Sequence, residues 1–180
     1  WGRQEALNFV HALAAESVKA NLRVVNGFGW GIGSAVINGA LEAIYGNPQK
    51  YSEDQLVVRP FPQHGDNLQM LWEQYRQRMV SLAGIAVFVF GNKRVNGDVV
   101  DASGVRREFE IAIEHGLVPI PIAASGYMAK ALWDEVLADP AKYYPGMDWI
   151  VPLIKALDTR QPNDTDLVSR IIKIIKDLNK

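Results

Sequence analysis

The sequence predicts an α/β fold of the Rossmann-like, doubly wound kind, a parallel sheet with helices on both faces. Three observations predict it. Short apolar runs at Leu22–Asn26, Gln55–Arg59, Ile85–Phe90 and Leu117–Ala123 alternate with longer amphipathic stretches, the pattern of repeated strand–helix units. The run IAVFVF (Ile85–Phe90) is apolar at every position, as a strand covered on both faces is. The segment LRVVNGFGWGIGS (Leu22–Ser34) passes from a β-branched run through Gly27, Gly29, Gly31 and Gly33 directly into a helical pattern. Such a loop lets backbone approach a phosphate, and the helix N-terminus behind it favours an anion.

The elements follow in order. Leu7, Val10, Leu13, Ala14 and Val18 recur at helical spacing, giving a first helix over about residues 4–19. The first strand covers Leu22–Asn26. The second helix runs from Ser34, read as its N-cap, to Tyr45, and Gly46-Asn47-Pro48 stops it. Gln55–Arg59 is a strand closed by Pro60 and Pro62. Leu68–Leu82 is helical, with Leu71, Tyr75, Met79 and Leu82 on one stripe. The strand at Ile85–Phe90 ends at Gly91, and a polar loop follows over Asn92–Ser103. Gly104 leads into a helix that closes at His115, with Gly116 as the left-handed residue beyond it. LVPIPIA (Leu117–Ala123) is a strand whose two prolines place it at an edge or near a strand end. Helices follow from Ser125 or Gly126 to about Leu137, near Trp149–Leu157, and at the C-terminus, where Leu167, Val168, Ile171, Ile174, Ile175 and Leu178 form one stripe.

Composition narrows the function. The 180 residues suit one domain able to bury a sizeable core, and a net charge of −1 gives no general basis for binding nucleic acid or a membrane surface. The absence of cysteine removes disulfides, thiolate catalysis and cysteine zinc sites, and fits a reducing cytoplasm. No run is apolar for long enough to span a bilayer. The first residue is Trp1, with an amphipathic pattern starting almost at once; the expectation is a domain excised from a longer chain with an N-terminal partner domain.

The glycine loop carries the nucleotide expectation. Its glycines are not in the usual dinucleotide register, and Trp30 or Phe28 can pack on a base or ribose; the bland alternative is a tight strand–helix turn. Dehydrogenase chemistry needs an acid at the end of the next strand to hold ribose hydroxyls, and that strand ends in Arg59. In Gly104-Val-Arg-Arg-Glu108, a glycine at a helix start precedes a carboxylate in the first turn, which suits sugar hydroxyls or merely complements the helix dipole. Lys93 lies just past the central strand, where a cation meets a phosphate or is simply solvated. Arg76 and Arg78 lie off the apolar stripe of their helix, as surface residues or as ligand contacts. His11, His64 and His115 have no metal-ligand spacing, and no metal or cofactor is expected.

Together, NGFGWGIGSAVINGALEAIYG, AGIAVFVFGNK and GVRREFEIAIEHGLVPIPI resemble the SLOG superfamily, and within it the C-terminal SLOG domains of Thoeris anti-phage effectors. The resemblance implies a non-catalytic sensor of a cyclic ADP-ribose isomer. Ligand binding there relieves an N-terminal sirtuin-like NAD-cleaving domain in an oligomeric, cytoplasmic protein. It implies a ligand set of Gly27, Phe28, Gly29, Trp30, Gly31, Gly33, Ser34, Arg76, Gly91, Asn92, Lys93, Ser103, Gly104 and Glu108. In that set the glycine loop approaches pyrophosphate, Lys93 and Arg76 neutralise phosphate, and Glu108 holds ribose.

The same superfamily contains the LOG nucleotide hydrolases, which offer a competing reading as a phosphoribohydrolase with Glu108 catalytic. Their motif P-G-G-x-G-T-x-x-E aligns with Val100–Glu108, where Gly104 and Glu108 match and the proline, leading glycines and threonine do not. Asp101 stands where backbone must approach phosphate, and its charge opposes that; Arg106 is placed to offset part of the loss. A third reading is an assembly domain with a degenerate cleft.

Overall fold

The structure is a computed structural model; it describes residues 1–29, 31–160 and 164–180, with backbone alone at 164 and 165. Its elements are α1 (Arg3–Lys19), β1 (Val24–Asn26), α2 (Gly33–Gly46), β2 (Leu56–Val58), α3 (Leu68–Val80), β3 (Ile85–Phe88), β4 (Asn92–Val95), β5 (Asp98–Asp101), α4 (Ser103–Glu114), β6 (Val118–Pro121), α5 (Tyr127–Ala138), α6 (Pro140–Tyr143), α7 (Val151–Lys155) and α8 (Asp164–Leu178). The fold is mixed α/β with short parallel pairs, β1 with β2 and β3 with β6, and is of the Rossmann-like class. The chain divides into two compact units, Trp1–Leu82 with Asn163–Lys180, and Ala83–Pro162.

In the first unit, α1 and α2 pack backbone to backbone. A Cβ placed on Gly39 would lie 2.1 Å from the carbonyl oxygen of His11, so no side chain fits there. Ala14, Ala15, Val18, Ala40, Ala43 and Ile44 fill the seam, and Val24 and Leu56 reach it from the strands. Small residues on both helices permit that approach, and burying their apolar surface offsets the lost chain entropy. β1 and β2 run in register from Val24↔Leu56 to Asn26↔Val58, and the Arg59 N–H extends the pairing to the Asn26 carbonyl at 2.8 Å. The buried stripe of α8 (Leu167, Val168, Ile171, Ile174) closes on α1.

In the second unit, β3 and β6 pair from Ile85↔Val118 to Phe88↔Pro121. Phe109 of α4 packs edge-on against Phe88 at 5.5 Å and against Tyr143 at 5.7 Å. Pro119 cannot donate to a further strand; its carbonyl accepts from the buried Tyr144 hydroxyl at 2.9 Å. Among the described residues β6 pairs only with β3, so the prolines do mark an edge. Gly116 ends α4 with φ +73°, as expected.

Four expectations are corrected. The polar stretch Asn92–Ser103 is not a loop: β4 and β5 form an antiparallel hairpin with Asn92 opposite Asp101 and Val95 opposite Asp98. Its turn, Asn96-Gly97 with φ +51° and +93°, supplies the left-handed pair that a two-residue hairpin turn requires. Ser34 is not the cap of α2, which begins at Gly33 behind Ile32 with no side-chain cap. α4 begins at Ser103, so Glu108 falls in its second turn rather than its first. The IAVFVF strand is fully buried only at Phe88 and Phe90, with Ile85, Ala86 and Val87 half-buried.

The α1–α2 contact yields a stability prediction. Gly39→Ala forces the two backbones apart and is expected to destabilise the fold by about 3 kcal/mol, the upper part of the range for overpacking a close contact. Urea denaturation of the two proteins reads this directly; equal midpoints would mean that the helices do not touch there.

Candidate functional site

The expected ligand residues fall into two groups, one in each unit. In the first, β1 ends at Asn26, whose side-chain oxygen accepts the Phe28 N–H at 2.6 Å. That bond holds Phe28 at φ +53° with its ring about half exposed, a conformation that costs a bulky residue about 1–2 kcal/mol. Two of the loop glycines answer to packing. A Cβ on Gly27 would meet Met79 and Phe61 at 2.8 Å, and one on Gly33 would meet the Phe28 backbone at 2.9 Å. At Gly29 and Gly31 a Cβ would meet nothing within 4 Å among the described residues, so toward those residues these two form the loop's open face. The Gly33 N–H already donates to the Gly29 carbonyl at 3.0 Å.

The Arg76 guanidinium lies 5.4 Å from the centroid of the Phe61 ring, the same ring that abuts Gly27. The structure thus brings Arg76 and the glycine loop to one place, while Arg78 is exposed near the end of α3. Ser34 lines a shallow groove of about 300 Å³ against α1, shared with Gln4, Asn8, His11 and Asn38. Trp30 lies outside the described residues.

The second group is built on the turn after β3. The Phe90 N–H donates to the buried Ser125 hydroxyl at 2.7 Å, and that hydroxyl donates to the Ile122 carbonyl at 2.6 Å. Phe90 (φ +55°) and Gly91 (φ +82°) then turn the chain sharply. A Cβ on Gly91 would lie 2.8 Å from the Cβ of Met128 and 3.2 Å from Val105, so the first turns of α4 and α5 both land on this residue. The Ala102 N–H donates to the Gly91 carbonyl at 2.7 Å and the Ala129 N–H to the Phe90 carbonyl at 2.9 Å.

Asn92 and Lys93 open the hairpin, and the Lys93 ammonium donates to the Ser103 hydroxyl at 3.1 Å, at the N-terminus of α4. Gly104 and the half-buried Glu108 lie four residues apart on one helical face. Neither α4 nor α5 has a side-chain cap or an acid in its first turn, and α2 has neither. Each therefore leaves its N-terminal N–H groups and the positive end of its dipole uncompensated by side chains.

The other cations of α4 are committed. Arg106 pairs with Glu135 and, at 3.2 Å, with Glu110, and Arg107 pairs with Glu110 at 3.2 Å and Glu114 at 3.0 Å. Arg106 therefore does not compensate for the missing phosphate cradle, as its position in the sequence suggests. The hydrogen bonds from Arg106 and then Tyr143 hold the Glu135 carboxyl below its ordinary range, against the opposing effect of burial. Burial and the bond to Glu135 push the Tyr143 phenol up. Two residues near this turn escaped the sequence reading: Ser125, visible only as a helix start, and Tyr127, the first residue of α5 after Gly126. The one available signal was an aromatic directly behind a glycine at a strand–helix junction. Among the described residues no His, Asp or Glu cluster suits a metal, and no helix is long and apolar enough to cross a membrane.

The parallel strand pairs with helices starting behind their ends accord with the SLOG resemblance. The chain belongs to the STALD family, the Sir2- and TIR-associating SLOG family, whose model matches residues 1–178. It is 46% identical over 170 residues to the NAD(+) hydrolase ThsA of Cytobacillus dafuensis, covering 93% of this chain and 34% of that protein. It is 38% identical over 180 residues to the NAD(+) hydrolase ThsA of Bacillus cereus (strain MSX-D12), covering 99% and 38%. With the Acinetobacter baumannii (strain 532279) protein of the same name the identity is 32%, covering 98% and 39%. The chain thus spans between a third and two fifths of the length of these relatives.

The Glu135 pairing has a pH consequence. A carboxylate whose pKa is lowered on folding contributes stability that is fully present above its unfolded value, about 4.3 for glutamate, and lost as pH falls through the lower folded value. Glu135→Gln is therefore expected to lower the denaturation midpoint at pH 7, with the gap to wild type narrowing by pH 3. A gap that stays constant with pH would assign its effect to packing alone.

Proposed function

We propose that this chain is the regulatory, signal-sensing domain of a ThsA-type anti-phage defence protein. It binds a cyclic ADP-ribose isomer and thereby activates a sirtuin-like NAD-cleaving domain of the same protein, in a cytoplasmic homo-oligomer. The reading is supported by membership of a Sir2- and TIR-associating family, and by relatives that carry most of their length outside this region. In the first unit, Gly27, Gly29, Gly31, Gly33, Ser34 and the α2 N-terminus attract pyrophosphate. Phe28, with Trp30 by expectation, packs on base or ribose, and Arg76 adds charge. In the second unit, Gly91, Asn92, Lys93, Ser103, Gly104 and Glu108 form a separate candidate set for phosphate and ribose.

One observation carries the choice of sensor over hydrolase. Of the segment aligned with the phosphate cradle of the hydrolases, Val100 and the exposed Asp101 end strand β5 of an antiparallel hairpin, and Ser103 onward already lies in α4. Where the hydrolase motif opens with its proline and first glycine, the backbone here is paired in the ladder, and the Asp101 carboxylate opposes a phosphate at that point. Lys93, on the facing strand and bonded to Ser103, supplies the cation. Activation requires the signal to bind one state of the protein more tightly than the other.

Calorimetry with cyclic ADP-ribose isomers, linear ADP-ribose and AMP, with products separated by chromatography, tests this. One cyclic isomer is expected to bind tightly and return intact, and Lys93→Glu is expected to abolish that binding at an unchanged melting temperature. Conversion of AMP to adenine, lost in Glu108→Gln, would replace the proposal with a LOG-type phosphoribohydrolase. Failure of every nucleotide to raise the melting temperature would leave an assembly domain, because a ligand of the folded state stabilises it by mass action.

A further inference from the structure

Six described residues other than glycine adopt positive φ: Asn21, Phe28, Asn67, Phe90, Asn96 and Tyr127. The three asparagines belong to the residue type that tolerates this region. Phe90 is 6% exposed, so its burial accounts for it. Phe28 lies in the glycine loop already assigned to the ligand. Tyr127 remains: its φ is +54° and its side chain is 48% exposed. No hydrogen bond from its hydroxyl is made to any described residue. Neither packing nor hydrogen bonding within the fold explains why an aromatic ring is held there, directly behind a glycine.

Its position does suggest a role. Tyr127 opens α5, whose next residue, Met128, packs where a Gly91 side chain would stand. The adjoining Ala129 N–H bonds to the Phe90 carbonyl. α5 also packs against β5 of the hairpin that carries Lys93. Tyr127 therefore stands where α5 starts, at the same turn that leads into Lys93 and receives the N-terminus of α4. We infer that Tyr127 is an aromatic platform on which the purine base of the nucleotide stacks, a specificity-determining contact beside the charged ones. This rests on the nucleotide-sensing function proposed above. The charged groups attract any phosphate; a flat, half-exposed ring discriminates for a ligand that also carries a π-face.

The test uses the 180-residue chain and the cyclic ADP-ribose isomer that binds the wild type most tightly. Tyr127→Ala and Tyr127→Gly are each expected to weaken binding by about tenfold or more, and Tyr127→Phe to stay within about twofold, as loss and retention of base stacking require. The glycine variant separates this from misfolding. Glycine accepts φ +54° without strain, so that protein should melt no lower than wild type while binding weakly. Wild-type affinity in the alanine and glycine variants, with binding still abolished by Lys93→Glu, would overturn the stacking role and leave the sensor proposal standing. Weak binding by the phenylalanine variant would assign the effect to the hydroxyl and overturn stacking as well. No binding by the wild type would remove both the sensor proposal and this inference.

Discussion

The missing side chain at Gly91 is the constraint on which the second unit depends. Two helices, α4 and α5, begin against that residue, and a Cβ there would meet Met128 and Val105. The backbone must also turn at φ +82° immediately after Phe90 at φ +55°, which only glycine does without strain at the second position. With the turn in place, the carbonyls of Phe90 and Gly91 accept N–H groups from the two helix starts. Those bonds aim both helices so that their N-termini face the start of the β4–β5 hairpin. Lys93 meets Ser103 because the β4–β5 hairpin starts at this turn and returns the chain to it, with Gly104 following on α4.

Charge is sorted sharply on α4. Arg106 and Arg107, the conspicuous cations of the sequence motif, are held by Glu110, Glu114 and Glu135. Arg106, through Glu135, braces α4 against α5, and the Arg107 pairs lie along α4 itself. Part-exposed pairs of this kind add little net stability individually, but a network fixes the helix on which Glu108 rides. Lys93 has only the neutral Ser103 hydroxyl as its hydrogen-bond partner among the described residues, so its charge stays available to an anion. The same contrast runs through the backbone: asparagine sits where a turn alone needs positive φ, and aromatic residues sit there at the carboxyl ends of strands. Strain at such positions persists when the surrounding contacts over-determine it, and it concentrates at ligand-binding places.

Most of the fold was legible in the residues. β-branched runs and 3.6-residue stripes placed every principal helix and the four parallel strands to within a few residues, because burial of one face repeats with the period of the element. The hairpin was not read from the polar run Asn92–Ser103, although its Asn-Gly turn is a hairpin signal. All eight strand residues are exposed, so no face alternates between apolar and polar. Of the candidate site, the glycine loop, Lys93, Gly104 and Glu108 were legible as residue types at strand and helix junctions. Ser34 as a cap and Arg106 as a phosphate partner were not correct readings, since both depend on where a neighbouring side chain or helix start lies.

The sequence by itself determined the α/β class, the order of the principal helices and parallel strands, the absence of thiol chemistry and the family to which the chain belongs. These follow from periodicity, composition and motif order, all of which are local or one-dimensional. Only the tertiary structure decided which glycines answer to packing and which leave the loop open, which arginines are neutralised, and that Tyr127 stands beside the turn carrying Lys93. Those properties depend on which distant residues meet, and the distances at Gly27, Gly39 and Gly91 are set by helices packing across the fold.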